Sequence, residues 1–292
     1  MNQLQADVLL SVTMLRPEEK LLGAALRERG LDVATVLPPD LGAIVRGGAS
    51  ARVGLIRNLS HQQAVSTARL LEHLGIGVLN RTSAIEACGD KGIQALMFSR
   101  HGVPHPESHL AFSFEQVREA VEAFGWPSVV KPVSGSWGRG VTKMVNAECV
   151  DAWIGGRESA DAAGKLFPVL VQEYVDKPGH DLRVVVVGAE PVAAIRRVSD
   201  HFRTNTTLGA DVERIDVTAE MADLCRRVTD IIGEGFYGID LVEDRAVGAL
   251  KVLEVNANPE FAKSSSVHGV DIAAAVADHV LATLAAPLPS TP

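Results

Sequence analysis

Short apolar runs alternate with helical patterns through the first part of the chain, and this alternation constrains the fold most strongly. Each strand-like run is followed by a segment in which apolar residues recur at helical spacing. Because strands separated by helices become parallel neighbours, the pattern predicts a small parallel α/β sheet. Pro38 and Pro39 end the second of these strands. The predicted strands are Val8–Val12, Val33–Leu37, Gly54–Arg57 and Gly75–Leu79, and the predicted helices are Pro17–Gly30 and Gln62–His73.

After Asn80 the pattern changes, and many strand-like runs are separated by turns of hairpin length. Such turns join antiparallel strands, so this part is predicted to be a largely antiparallel α+β unit. The predicted helices are Asp90–His101 and Phe114–Phe124, and the predicted strands are Ser128–Lys131, Val169–Tyr174, Asp181–Val187, Val192–Val198, Phe236–Val242 and Ala249–Val255.

Composition excludes several classes of protein. With 47% hydrophobic and 22% charged residues, the 292-residue chain has the composition of a folded globular protein. It contains neither an apolar run of membrane-spanning length nor a recognisable signal peptide, and its three cysteines form no metal-binding spacing. We therefore expect a cytoplasmic protein without a membrane partner. The formal charge of −8 argues against a nucleic-acid partner, which would require excess Lys and Arg.

A glycine-rich segment and two lysines indicate an anion-binding site. The segment Ser134–Gly140 follows a predicted strand, and its glycines allow several backbone N–H groups to point at one anion. Its spacing matches neither a P-loop nor a Rossmann fingerprint. Lys131 ends the strand just before this segment, and Lys91 is a second candidate for neutralising phosphate charge. An ordinary turn and surface lysines are the alternative.

The last two predicted strands carry the most informative pair of acids. If the turn between them centres near Val247, Asp240 and Glu254 lie opposite each other. Period-two alternation then places Glu254, Asn256 and Asn258 on one face. Two carboxylates and an amide oxygen among apolar neighbours are the donors that magnesium accepts, with phosphate and water completing its shell. A solvent-facing acidic strand is the alternative.

Two further charged motifs lie on predicted strands. Asp181 and Arg183 share one strand face, and Arg196 and Arg197 end the next strand. Because adjacent side chains point to opposite faces of a strand, at most one of this second pair can point inward. A structural Asp–Arg ion pair at a sheet edge is the alternative to a ligand contact.

The order of these motifs resembles that of the ATP-grasp superfamily and, more narrowly, the RimK/LysX branch of carboxylate–amine ligases. The resemblance covers essentially the whole chain, and its motifs are specific jointly rather than individually. They are Asn80-Arg81, Ile85–Lys91, Lys131–Arg139, Gln172–Gly179, Asp181-x-Arg183, Gly238–Leu241 and Leu253–Asn256.

The resemblance implies an ATP-grasp fold with a small parallel-sheet domain at the N-terminus. A pre-ATP-grasp α/β domain is expected at residues 1–86, a central lid subdomain at residues 87–170, and a C-terminal subdomain with the magnesium and substrate site at residues 171–292. The implied cofactors are ATP and Mg²⁺ or Mn²⁺. Relatives commonly form dimers or tetramers, so a homo-oligomer is expected.

The family's functional residues carry over by position. Residues implied to contact ATP are Lys91, Lys131, Ser136, Gly138, Arg139, Gln172, Glu173, Tyr174, Val175 and Asp181. The implied metal ligands are Asp240, Glu254 and Asn256. Residues implied to face the acyl phosphate are Arg183, Arg197 and Asn205. Residues implied to face the substrate are Asn258, Glu260 and Phe261, with Glu260 either pairing with an ammonium group or serving a capping or surface role.

The implied reaction joins a carboxylate to an amine through an acyl phosphate formed from ATP. The amine is expected to be an α-amino acid, α-aminoadipate or glutamate-like, held through its carboxylates by arginines. The expected acceptor is the C-terminal glutamate of a small acidic amino-group carrier protein, as in lysine or related amino-acid biosynthesis. The alternatives are a RimK-like glutamate ligase acting on a protein tail or cofactor, and a non-catalytic ATP-binding module.

Overall fold

The computed structural model describes residues 4–135, 138–158, 166–199, 201–202, 204 and 211–285. Its N-terminal part folds around a parallel sheet, as the alternating pattern predicts. The elements are β1 (Leu4–Gln5), β2 (Val8–Val12), α1 (Pro17–Glu28), β3 (Val33–Val36), α2 (Pro38–Gly47), β4 (Ala49–Ser50), β5 (Val53–Arg57), α3 (His61–His73) and β6 (Gly77–Leu79). The sheet has the order β3-β2-β5-β6 with every neighbouring pair parallel, and β1 pairs separately with β4.

Prolines begin two helices of this part. α1 begins at Pro17, whose fixed φ suits a first helical turn, and Glu19 accepts a hydrogen bond from the backbone N–H of Arg16 at 3.0 Å. α2 begins at Pro38 for the same reason. The sequence interpretation took Pro38 and Pro39 only as the end of a strand, and it missed that a proline pair also permits a helix to start.

The middle of the chain forms an antiparallel sheet. Its elements are α4 (Thr82–Cys88), α5 (Lys91–Arg100), β7 (Ser108–Ala111), α6 (Phe114–Phe124), β8 (Ser128–Pro132), β9 (Thr142–Met144), α7 (Ala147–Glu158) and β10 (Val169–Glu173). The order is β7-β10-β8-β9. β7 and β9 were not predicted, because runs of four and three residues give little periodicity. The expected boundary between residues 170 and 171 falls inside β10, which pairs with both β7 and β8.

A second antiparallel sheet, in the order β13-β12-β11-β14-β15, forms the C-terminal part. Side chains on β11 alternate between two hydrophobic cores, with Val184 and Val186 packing on one side and Val185 and Val187 on the other. α8 covers the first side, and α10 together with α1 and β2 covers the second. The elements are β11 (His180–Gly188), β12 (Glu190–Val198), β13 (Asp211–Ile215), α8 (Ala219–Ile232), β14 (Gly235–Asp244), β15 (Ala249–Asn256), α9 (Ala262–His268) and α10 (Ile272–Ala285).

Among the described residues, no single helix is long and apolar enough to cross a membrane. α9 and α10 meet the length and composition requirements only as a pair, which is bent by 111°. On α10, Ile272, Val276 and Val280 are buried in the core that this helix forms with α1 and β2.

Candidate active site

The β14–β15 hairpin places the predicted acids together. Asp240 lies directly opposite Glu254 in the register, and Gly238 lies opposite Asn256, which confirms the register expected from the sequence. Asn256 Nδ2 donates to Glu254 Oε1 at 3.2 Å, so these two side chains share a face. Asp240 is 3% exposed, and therefore the hairpin does not present a solvent-facing acidic strand.

A chain of alternating charges joins Asp240 to the neighbouring strands. Arg183 donates to both oxygens of Asp240, from Nε at 2.8 Å and from Nη2 at 2.9 Å. Arg197 Nε donates to Asp181 at 2.6 Å, and its Nη2 lies 3.2 Å from Asp240 Oδ1. Arg196 points outward to Glu213 with its side chain 40% exposed. The prediction that only one of the paired arginines points inward is therefore confirmed.

Burial and neighbouring charges act in opposite directions on the pKa values of Asp240 and Arg197. Burial by itself would raise the pKa of Asp240, but the guanidinium groups of Arg183 and Arg197 hold that pKa below its ordinary value. Burial likewise disfavours the charge of Arg197, and the carboxylates of Asp240 and Asp181 reverse this and raise its pKa. Asp240 and Arg197 are thus charged in the folded protein, and each depends on its neighbours for compensation.

Both predicted lysines lie beside these acids. Lys131 is 5% exposed and donates to Gln172 Oε1 at 2.9 Å. Burial lowers the pKa of Lys131 to about 8, with Glu254 opposing this shift and Lys91 adding to it. Lys91 Nζ donates to the carbonyl of Gly135 at 2.7 Å and lies 3.4 Å from Glu254 Oε2. The alternative of ordinary surface lysines is wrong for Lys131, because its ammonium is buried.

A first cavity opens between the two antiparallel sheets, and the acids, arginines and lysines meet in it. The expected ATP contacts that line it are Lys91, Lys131, Gly138, Arg139, Gln172, Glu173, Tyr174, Val175 and Asp181. Arg197, Asp240 and Glu254 line it as well. The side chain of Glu173 turns to Lys251 at 2.6 Å, so this glutamate contributes to the cavity mainly through its backbone.

A second cavity lies between the N-terminal part and the C-terminal sheet. It shares Lys91, Gly135, Arg197 and Glu254 with the first cavity, so the two cavities meet at these residues. The expected residues that line it are Arg183, Asn256, Asn258 and Glu260. A small molecule in the second cavity would thus lie next to a ligand in the first.

Phe261 is not a substrate contact, contrary to the expectation. Its side chain is 0% exposed and belongs to the core that includes α1 and α10. Its ring packs against Phe236 with centroids 5.5 Å apart, and the guanidinium of Arg57 lies 5.9 Å from the ring centre. An aromatic ring next to a cavity packs into the adjacent core, rather than into the cavity, when other aromatic rings are available there. The remaining expected residues, Ser136 and Asn205, lie outside the described residues.

Several lining residues escaped the sequence analysis. In the first cavity Lys177 donates to Thr204 at 2.8 Å and lies 3.8 Å from Asp181, and burial lowers the pKa of Lys177. Its position next to the Gln172–Val175 motif was the available signal. In the second cavity, Arg16 and Asn58 come from the N-terminal sheet region, and no local sequence pattern marks them.

Asp240, Glu254 and Asn256 supply donors of the type that Mg²⁺ prefers, namely carboxylate and amide oxygens. Among the described residues, no cluster contains three or more His, Cys, Asp or Glu side chains suited to a metal ion. Two carboxylates and one amide, each supplying one oxygen, leave half of an octahedral shell to other oxygens, which suits a cation that binds together with phosphate. The residues therefore fit a phosphate-bound divalent cation rather than an ion held by protein alone.

Solved structures with the same architecture define the class. The RimK domain ATP-grasp protein of Sphaerobacter thermophilus superposes with a TM-score of 0.78 at 24% identity, covering 94% of this chain and 100% of that one. A D-alanine–D-alanine ligase of Bacillus anthracis complexed with ATP superposes with a TM-score of 0.70 at 14% identity, covering 97% of this chain and 99% of that one. The fold is therefore the ATP-grasp fold with a pre-ATP-grasp N-terminal domain.

The sequence assigns the family within this class. The RimK-like ATP-grasp domain matches residues 89–280, and the LysX preATP-grasp domain matches residues 8–87. The chain belongs to the RimK-like ATP-grasp family and is an ATP-grasp ligase. It is similar to the alpha-aminoadipate–LysW ligase LysX of Saccharolobus solfataricus, with 34% identity over 89% of this chain and 95% of that protein. It is also similar to the glutamate–LysW ligase ArgX of Sulfolobus acidocaldarius, with 31% identity over 94% of this chain and 97% of that protein.

Proposed function

We propose that this protein uses ATP to join an α-amino acid, through its amine, to the C-terminal carboxylate of a small amino-group carrier protein. The observation that carries the proposal is the meeting of the two cavities at Lys91, Arg197 and Glu254. A nucleotide in the first cavity and an amino acid in the second would approach each other there. The similarity to ligases named for LysW supports a carrier protein as the acceptor.

The reaction proceeds in two displacements. A carboxylate oxygen of the carrier attacks the γ-phosphorus of ATP, which forms an acyl phosphate and releases ADP. The amine of the amino acid then attacks the acyl carbon, and a tetrahedral species collapses to an amide with loss of phosphate and a proton. Neither step needs a covalent enzyme nucleophile. The enzyme contributes positioning and charge compensation.

The residues take up separate roles in this scheme. Lys91 and Lys131 neutralise phosphate charge at the inner end of the first cavity. Asp240, Glu254 and Asn256 would hold the Mg²⁺, which supplies charge stabilisation between phosphate oxygens when it is bound. Arg183 and Arg197, which compensate Asp240, also line the second cavity, where they would compensate the charge of the acyl phosphate.

Trapping of the first intermediate tests the proposal. The enzyme, the carrier, ATP and Mg²⁺ are incubated with hydroxylamine, which converts an acyl phosphate to a hydroxamate. A second incubation contains α-aminoadipate or glutamate instead, and mass spectrometry follows the carrier. We expect ADP release with hydroxamate in the first, and a carrier heavier by one amino acid minus water in the second. Lys131→Met should lose both products, whereas Lys20→Met, a change at an exposed position on α1, should retain them.

The opposite results separate the alternatives. ATP binding without ADP release for any carrier or peptide acceptor would indicate a non-catalytic module. Product formation only with a peptide tail or a small cofactor carboxylate would indicate a glutamate ligase of the RimK type. Either result would refute the carrier as the acceptor.

A further inference from the structure

The lining of the second cavity consists of two groups of residues. Lys91, Arg197 and Glu254 line the first cavity as well. Arg16 and Asn58, which belong to the loops after β2 and β5 of the N-terminal sheet, line only the second. Loops at the carboxyl ends of parallel strands commonly form ligand sites. The N-terminal part therefore contributes directly to a site whose reacting end lies in the ATP-grasp part.

The orientation of an amino acid in this cavity follows from the proposed function. Its amine must reach the acyl carbon, beside the residues that both cavities share. The side chain of the amino acid then extends towards residues that line only the second cavity, among them Arg16 and Asn58. Those residues, rather than the phosphate-binding residues, are in position to distinguish one amino acid from another.

Arg16 is a cation held in place by a buried ion pair. Its guanidinium donates to Glu19 from Nε at 3.0 Å and from Nη2 at 2.6 Å. Glu19 in turn accepts from Arg57 Nε at 3.2 Å, and Arg57 is 1% exposed. The Arg16 side chain remains 15% exposed. A guanidinium has five N–H donors in a fixed plane, so Arg16 keeps donors for a ligand while Glu19 fixes its direction.

The loop after β15 meets the same guanidinium. Arg16 Nη2 lies 3.5 Å from Asn258 Oδ1, and Nη1 lies 3.8 Å from Glu260 Oε1. Both distances are longer than a charge-assisted hydrogen bond, which is about 2.7–2.9 Å. Glu260 is 42% exposed at its side chain, and therefore water competes for its contact with Arg16. Because these contacts are weak, Arg16 can donate stronger hydrogen bonds to an anionic ligand.

Asn58 provides a second, independent observation. It is 3% exposed, its Oδ1 accepts from Ser11 at 3.0 Å, and among the described residues its Nδ2 has no hydrogen-bond partner. A buried amide N–H without an acceptor destabilises a protein unless a ligand or water supplies the acceptor. Asn58 lines the second cavity beside Arg16, so an oxygen acceptor there would satisfy both groups.

We infer that Arg16, assisted by Asn58, binds the side-chain carboxylate of the amino-acid substrate and so selects dicarboxylic amino acids. The inference rests on the proposed function, which it extends to the substrate class. The cations that line the cavity agree with it, since Arg16, Lys91, Arg183 and Arg197 all line the cavity, although each also lies within ion-pair distance of an acid. An incoming ligand with two carboxylates would share these cations with those acids.

The test compares amino acids that differ only in the terminal group. Steady-state rates are measured with α-aminoadipate and glutamate, and with straight-chain neutral amino acids of the same lengths. Arg16→Gln should lower kcat/KM for the dicarboxylic amino acids about 10- to 100-fold, mainly by raising KM. It should change kcat/KM for the neutral amino acids by less than about threefold. Arg16→Lys should restore part of the loss, because an ammonium keeps the charge but not the planar fork.

Matched controls separate this role from a purely structural one. Arg27→Gln changes an arginine within α1, which donates to the carbonyl of Val33 and does not line the second cavity. This variant should leave kcat/KM unchanged for both the dicarboxylic and the neutral amino acids. Equal losses for dicarboxylic and neutral amino acids in Arg16→Gln would overturn the inference. A raised KM for the carrier, with unchanged KM for the amino acid, would also overturn it.

Hydroxamate formation distinguishes failure of this inference from failure of the proposed function. Hydroxylamine replaces the amino acid and has no side chain, so Arg16→Gln should form hydroxamate at the wild-type rate. If the wild-type enzyme forms no hydroxamate, the proposed function fails. If hydroxamate forms but the preference for dicarboxylic amino acids survives Arg16→Gln, only the role of Arg16 fails.

Discussion

The buried ammonium of Lys131 predicts a specific pH dependence for ATP binding. Burial lowers the pKa of Lys131 to about 8, so the free enzyme loses this charge as the pH rises above that value. A polyphosphate beside the ammonium favours its charged form and raises its pKa in the complex. The nucleotide therefore binds the protonated enzyme, and its affinity should be constant below pH 8 and fall above it.

The magnitude follows from the fraction of enzyme that stays protonated. With a pKa of about 8, roughly one molecule in ten retains the proton at pH 9, so the apparent Kd for ATP should rise about tenfold per pH unit above 8. Calorimetric titration between pH 7.5 and 9.5 at constant Mg²⁺ and ionic strength measures this slope. In Lys131→Arg the Kd for ATP should change little with pH, because a guanidinium keeps its charge throughout this range.

Lys177 is the matched control, since it lines the same cavity and burial lowers its pKa as well. Lys131→Met should bind ATP weakly at every pH, and its Kd should no longer depend on pH. Lys177→Met should retain the pH dependence of the Kd for ATP. A Kd for ATP that is independent of pH in the wild type would refute the reasoning. An unchanged slope in Lys131→Met would refute it equally.

Two further predictions concern the charged residues of the site. Arg197→Met should destabilise the protein by about 3–5 kcal/mol in urea unfolding, because it removes the buried cation that pairs with both Asp181 and Asp240. Arg196→Met, at an exposed pair on the same strand, should cost less than about 1 kcal/mol, and equal effects would contradict the assigned orientation. Glu254→Gln should raise the Mg²⁺ concentration for half-maximal hydroxamate formation by at least about tenfold, and an unchanged Mg²⁺ titration would exclude Glu254 as a ligand.

The parts of the site that the sequence predicted are those fixed by local geometry. The pairing of Asp240 with Glu254 was predicted from the position of one turn, and in the structure it also involves a bulge between Asp240 and Leu241. Strand alternation allows only one of Arg196 and Arg197 to point inward, and in the structure this is Arg197. Both rules operate within a few residues, so no knowledge of the tertiary fold is required.

The parts that were missed depend on contacts between distant segments. Arg16 reaches the second cavity only because α1 packs near a loop that lies 242 residues further along the chain. Phe261 is buried because Phe236 and Arg57 provide a place for its ring, which no local pattern around Phe261 reveals. Tertiary packing decides such positions, and sequence periodicity carries no information about it.

A crystal structure with Mg²⁺ and a non-hydrolysable ATP analogue would test the central claim most directly. The account predicts the triphosphate in the first cavity, with the ammonium groups of Lys91 and Lys131 within hydrogen-bond distance of phosphate oxygens. It also predicts oxygens of Asp240, Glu254 and Asn256 at about 2.0–2.1 Å from Mg²⁺. A nucleotide whose phosphates lie away from these lysines, or a cation held without the two carboxylates, would contradict it.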